Sequence, residues 1–348
     1  MADERYIING FPRGYERRLA EKLSLAYPVD PSELRAAQLA RFRGIAAYAA
    51  RHSRFYRRLY AGYDLNDPFG LPLISGEDLR RDSAAMVCVS GSRVRRVVTM
   101  RTSGSTGEPK RLYFSEGDLE LTVDFFASGM TYMTCPGDSA LICFPDSRPD
   151  GLTDLLSRGL RRIDVAPTVC AQSDPALMAE AAERLRPQCV IGMPRQIAAM
   201  AELIPELAPK TVLLSGDDVT PELRLSLAER WGARVFSHWG MRETGLGGAV
   251  ECPAHSGLHI RHDDLLIEIV DGDGKPLPPG EWGEIVITTL TREAMPLLRY
   301  RTGDISRLLP DACPCGSLLP RLDAVSGHKR RLLAAEAAAS GANKQNEL

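Results

Sequence analysis

Residues 102–110 read TSGSTGEPK. The stretch holds four hydroxyls (Thr102, Ser103, Ser105, Thr106), two glycines (Gly104, Gly107), a proline and a terminal lysine, Lys110. Glycine lets the backbone take positive φ and approach a ligand with no Cβ in the way. Successive N–H groups of such a turn face one concavity, where an anion can sit. The hydroxyls add donors, and Lys110 adds a mobile positive charge at the rim. Upstream, residues 94–100 (VRRVVTM) are β-branched and apolar and read as a strand feeding the loop. Strand, hydroxyl-rich glycine loop and lysine make a phosphate cradle, distinct from the P-loop because GxxxxGK[ST] is absent. A flexible Ser/Gly surface turn is the competing reading of the same composition.

Outward from this loop the chain alternates. N-terminal to it, Ser32 is placed to cap a helix carrying Leu34, Leu39, Phe42, Ile45 and Ala46 at helical spacing, and a second helical piece carries Phe55, Tyr56, Leu59 and Tyr60. C-terminal to it, residues 112–114 read as a returning strand and 116–132 as a helix. Short apolar runs at 140–144, 162–165, 189–191, 211–214 and 234–237 then read as strands, with helical segments at 175–185, 195–204 and 221–231. This alternation predicts an α/β fold with a parallel sheet, whose ligands gather at the carboxyl ends of the strands. SGDD (215–218) and SHWG (237–240) fall there. From residue 258 the pattern turns to β-branched/polar alternation with turn chemistry at 271–274 and 278–283, which predicts a small antiparallel β subdomain over about 258–325. The alanine-rich residues 331–348 have no periodic apolar face and are expected to be a disordered tail.

Three stretches together resemble the adenylate-forming superfamily of acyl-CoA synthetases, luciferases and peptide-synthetase adenylation domains. They are TSGSTGEPK, SHWGMRETG (237–245) and YRTGDISRL (300–308), in the order found in that superfamily. The phenylacetate–CoA ligase branch is the most similar, over roughly residues 30–330, through LARFRGIAAYAARHSRFYRRLY, GLHI, GEIVITTLTREAMPLLRYRTGDISRLLP and CPCG. The resemblance implies that residues 1–330 form the large domain and that residues 102–107 with Lys110 hold the phosphates of ATP. It implies that Glu243 binds Mg²⁺, that Trp239 and Gly240, with Gly216 and Asp217, line the adenine, and that Asp304 holds the ribose. The bland alternatives are that Glu243 caps a helix and that Trp239 is core. Arg242 stands where the family has Thr or Ser, and a guanidinium there would grip an anion more directionally than a hydroxyl.

The resemblance also implies a mobile C-terminal domain with a lysine that stabilises the adenylation transition state. Residues 326–333 (SGHKRRLL) lie at the hinge, and the expectation is that this domain is absent here and comes from a separate chain. The implied reaction activates a small aryl or acyl carboxylic acid to its adenylate, with transfer to CoA or a carrier-protein thiol. The rival is a catalytically idle ATP/AMP-binding subunit or regulatory relic.

Cys313-Pro-Cys315, Cys252 and a histidine would give a Cys₃His set suited to structural zinc. His255 and His259 both lie near Cys252, and the resemblance favours His259, the histidine of GLHI. Eight cysteines in 348 residues are too few for a disulfide scaffold. A net charge of −2 gives no global field for nucleic acid or anionic membrane. With no long apolar run and no leader-like start, the expectation is a cytoplasmic protein without nucleic-acid or membrane partners.

Overall fold

The computed structural model describes residues 13–100 and 109–325. The expected phosphate-loop residues Thr102, Ser103, Gly104, Ser105, Thr106 and Gly107 lie outside them, as does the expected tail.

The chain enters through the helices Arg13–Leu23 and Pro31–His52. Asp30, not Ser32, caps the second: its carboxylate accepts from the amides of Ser32 and Glu33 at 2.8 and 3.2 Å. Pro31 then occupies the first helical position, where a missing N–H costs nothing. Ser53, in extended conformation, closes this helix and caps the next, Arg54–Leu59. The buried Gln38 amide donates to the carbonyls of His262 and Leu265 at 2.9 and 3.1 Å, which docks the long helix on the C-terminal half of the chain.

Strands β1 (Arg96–Met100) and β2 (Lys110–Phe114) form an antiparallel pair whose last register pair is Met100 with Lys110. The lysine therefore sits at the root of the glycine-rich segment, held by the ladder. Among the described residues the main sheet has eight strands. β3 (Ser139–Cys143), β4 (Ala166–Val169), β5 (Cys189–Gly192), β6 (Thr211–Leu214) and β7 (Arg234–Trp239) run parallel. β8 (Ala249–Glu251), β9 (Leu258–Ile260) and β13 (Arg321–Leu322) extend it antiparallel, in the order β13-β9-β8-β7-β6-β5-β3-β4.

Every residue of β5 and β6 is buried, as expected for parallel strands covered on both faces. Alternate residues go to opposite sides. Ile142, Ile191, Leu213 and Phe236 pack in one core with the helices Glu116–Met130 and Leu152–Arg162. Leu141, Val190, Val212 and Val235 pack in a second core with Pro175–Leu185, Pro194–Leu203 and Pro221–Trp231. Residues 162–165 do not form the expected strand. Leu155, Leu156 and Leu160 bury one stripe of a helix that runs to Arg162, and Asp164, at φ 59°, turns the chain into β4.

A second, antiparallel sheet holds β10 (Leu265–Val270), β11 (Gly283–Thr289) and β12 (Tyr300–Ser306). β9 and β13, although C-terminal to or at residue 258, belong to the eight-stranded sheet. The two-sheet arrangement is joined to the N-terminal region at Arg299. Its guanidinium pairs with Glu268 at 2.9 Å and donates to the carbonyls of Phe69 and Leu71 at 2.7 and 2.6 Å. Both charged groups are buried. Removing one partner of such a pair strands the other charge in a poorly solvated site. Arg299→Leu should therefore lower unfolding free energy by about 3–5 kcal/mol, read as a reduced urea midpoint.

Candidate active site

Lys110, Glu243 and Tyr300 meet where β2, the turn after β7 and β12 converge. Lys110 Nζ lies 3.3 Å from Glu243 Oε1 and donates to the Tyr300 hydroxyl at 3.2 Å, while that hydroxyl donates to Glu243 Oε1 at 3.0 Å. Glu243 is only 3% exposed. Its backbone carbonyl accepts from Arg292 Nη1 at 2.8 Å. Burial pushes the Arg292 guanidinium down to about 10, which leaves it charged at neutral pH. Tyr300 is pushed up by burial and by the neighbouring Glu243 carboxylate, so it stays a phenol and a donor. Gly76 leaves the space for the lysine: a Cβ there would lie 2.7 Å from Lys110 Cε. The resemblance supplied no role for Tyr300 or Gly76. The parallel bridge between Ile74 and Tyr300 brings residues 74–76 to this place.

The other expected residues divide. Trp239, at the end of β7, is buried and donates its indole N–H to Asp304 Oδ2 at 2.9 Å, so these two are brought together. Gly216, Gly240 and Arg242 line one cavity. Arg242 is exposed. Asp217 faces solvent, with Arg195 Nε 3.8 Å away. The cavity encloses about 710 Å³ between the β7 end of the main sheet and the helices Glu116–Met130 and Leu152–Arg162. Its walls are mostly apolar: Phe125, Phe126, Met130, Leu155, Leu213 and Val250 contribute. The turn that carries Glu243 is also part of the wall, through Gly240, Met241, Gly245 and Leu246. Phe125 presses on this turn. A Cβ on Gly247 would lie 2.2 Å from Phe125 Cδ1, so only glycine fits. Thr122 Oγ1, one helical turn earlier, donates to the Gly245 carbonyl at 2.7 Å.

His238 was passed over in the sequence, although it stands inside the SHWG stretch. It lines the cavity and shares a 3.0 Å hydrogen bond between Nδ1 and Ser215 Oγ. Burial pushes it down to about 4, so the ring is neutral.

A separate cluster lies at the far edge of the main sheet. One ligand atom each from Cys252, His259, Cys313 and Cys315 fall within 4.8 Å of one another. Cys252 Sγ and Cys313 Sγ are 3.6 Å apart, and Cys315 Sγ is 3.5 Å from His259 Nε2. Zinc–sulfur bonds of about 2.3 Å and a zinc–nitrogen bond of about 2.0 Å at tetrahedral angles place sulfurs roughly 3.8 Å and sulfur and nitrogen roughly 3.5 Å apart. The donor set fits that geometry. His259 is pushed down to about 3, mainly by burial, and so offers a neutral imidazole. His255 goes elsewhere: its Nδ1 lies 3.1 Å from Arg224 Nη1 and 3.6 Å from Glu251 Oε2.

Residues 95–291 match the AMP-binding enzyme family. The chain is 30% identical over 325 residues to a phenylacetate–coenzyme A ligase of Thermus thermophilus, covering 86% of this chain and 72% of that protein. It is 25% identical over 332 residues to a phenylacetate–coenzyme A ligase of Escherichia coli, covering 90% and 75%. A 2-hydroxyisobutyryl-CoA ligase in an open conformation shares the fold, with TM-score 0.77 and 23% identity over 85% of this chain and 75% of that one. Among the described residues no helix is long and apolar enough to cross a membrane.

His238 and His262 generate a pH prediction. Both are pushed down to about 4 by burial, and His262 donates its ring N–H to the Pro320 carbonyl at 2.9 Å. Unfolded histidine titrates near 6.5. The unfolded chain therefore takes up these protons first. The stability these rings contribute is complete above about pH 6.5 and is lost as pH falls from there toward 4. The melting temperature should drop steadily over that interval, and His262→Gln should make the drop shallower.

Proposed function

The chain belongs to the AMP-binding enzyme family, and from that membership we propose that it activates a carboxylic acid with ATP and passes the acyl group to CoA. In the first step the carboxylate oxygen attacks the α-phosphorus, forming the acyl-adenylate and releasing pyrophosphate. In the second the thiol attacks the acyl carbon, forming the thioester and releasing AMP. The observation that carries this reading is the Lys110–Tyr300–Glu243 contact on the same turn that walls an apolar cavity. It sets cationic and acidic groups for a nucleotide beside a space for an acyl group.

Lys110, at the root of residues 102–107, holds the phosphates through its ammonium. Glu243 is the carboxylate that would hold Mg²⁺, which offsets phosphate charge when bound. Lys110 and Tyr300 both meet its side chain at Oε1. Lys110 supplies the positive charge at that oxygen and can swing toward phosphate as a cation arrives. Trp239 offers its indole face to adenine, with Gly216, Asp217 and Gly240 around it, and its N–H fixes Asp304 for the ribose hydroxyls. Arg242, on the cavity rim, adds charge toward an anionic oxygen. Cys252, His259, Cys313 and Cys315 hold a structural zinc that pins β8, β9 and the loop before β13. In this reading the protein works in the cytoplasm, where ATP and CoA are available.

Three experiments test this. Calorimetry with ATP should show Mg²⁺-dependent binding, weakened about tenfold or more by Lys110→Ala. Pyrophosphate exchange should appear with an aryl acid such as phenylacetate and fall about a hundredfold in Glu243→Gln; no binding and no exchange overturns the assignment. Elemental analysis should find one zinc per chain, and Cys313→Ser should lose the metal and melt at lower temperature.

A further inference from the structure

The cavity has two ends of different character. Phe125, Leu155, Ile191 and Leu213 give it a buried apolar interior. Its open side is charged: Arg96, Asp146, Arg148, Asp150 and Arg242 line it, with Arg148 and Arg242 exposed and Arg96 half-buried. The two carboxylates of this rim already have partners. Asp146 accepts from Arg148 Nε at 3.0 Å, and Asp150 accepts from Arg95 Nε at 2.9 Å with Arg158 Nη1 at 3.6 Å. Arg96 and Arg242 are left over. Arg96 Nη1 donates to the Pro149 carbonyl at 3.1 Å, and among the described residues neither guanidinium forms an ion pair.

A carboxylic acid entering this space has one stable way round. Its apolar body belongs among the apolar side chains, whereas its carboxylate loses its hydration there and finds no counter-charge. The charged end therefore stays at the rim, beside guanidiniums that lack a counter-ion. With Nη1 on the Pro149 carbonyl, the rest of the Arg96 fork remains to donate, in the geometry that suits the two oxygens of a carboxylate. Burial lowers the Arg96 guanidinium; Asp146 and Asp150 oppose this, while Arg148 and Arg242 add to it. An anion set among these groups relieves the crowding of like charge. Building on the proposed acid activation, we infer that Arg96 binds the carboxylate of the incoming acid at the rim, with the acid's apolar body in the interior. Arg242, next to Glu243 in the chain, adds its charge on the nucleotide side. The reaction brings two anions together, the carboxylate and the α-phosphate, and cations beside them reduce their repulsion.

The test compares phenylacetate, benzoate and octanoate with their primary amides, which keep the shape and lose the charge. Binding of each is read by calorimetry, and the KM values of acid and ATP by pyrophosphate exchange. The wild type should bind at least one acid about tenfold or more tighter than its amide. Arg96→Gln should bring that ratio near one and raise the KM of the acid about tenfold, leaving the KM of ATP within about twofold. The inference is overturned while acid activation stands if acid and amide bind the wild type equally, if the preference survives Arg96→Gln, or if the KM of ATP rises as much as that of the acid. If no acid binds or supports exchange, both fall. Should the glutamine variant fail to fold, Arg96→Lys decides: an ammonium cannot reproduce the fork, so the ratio of acid to amide affinity should fall, and an unchanged ratio overturns the inference.

Discussion

One carboxylate oxygen, Glu243 Oε1, is the point on which three distant stretches of chain converge. Lys110 arrives from the hairpin strand, Tyr300 from the antiparallel sheet, and Glu243 itself from the turn that ends the parallel run of the main sheet. A carboxylate this deeply buried needs partners of compensating charge and donors. The fold supplies an ammonium and a phenol, and fixes the turn from behind through Arg292 on the Glu243 carbonyl. The requirement to satisfy that oxygen therefore sets the relative placement of the two sheets near the site. It also keeps Lys110 within reach of whatever anion the neighbouring residues receive.

The α/β class was legible because its strongest signals are local. β5 and β6 are short apolar runs buried throughout, and the helices that follow strands β4, β5 and β6 each open on a proline at the first position. Where two local signals competed, tertiary packing decided. Ile163 and Val165 suggested a strand, yet the preceding helix, held by its leucine stripe, runs to Arg162. Ser32 was the expected cap, but Asp30 takes that role, with Pro31 at the first helical position.

The site was legible in part for the same reason. Glu243, Trp239 and Asp304 sit in ordered motifs, so a resemblance carried them. Tyr300 and His238 sit in the same motifs, but their roles depend on what comes near them in space. The phenol matters because Ile74 pairs with Tyr300 and draws residues 74–76 and Lys110 alongside; the imidazole lines the cavity, tied to Ser215. Likewise, sequence proximity left His255 and His259 equivalent. The strand pairing of β9 turns His259 toward the cysteines, whereas His255 is drawn off by Arg224 and Glu251.

The contact between Phe125 and Gly247 has a wider consequence. The ring forms one wall of the cavity proposed to take the acyl group, and the glycine lies just past Glu243 on the turn proposed to serve the nucleotide. With no slack between them, any enlargement at residue 247 has to shove the ring into the cavity, and any reshaping of residue 125 loosens the turn. On the proposed assignment, preference for the acid and grip on the nucleotide are in this way mechanically geared to each other, so evolution toward a new acid would have to retune both at once.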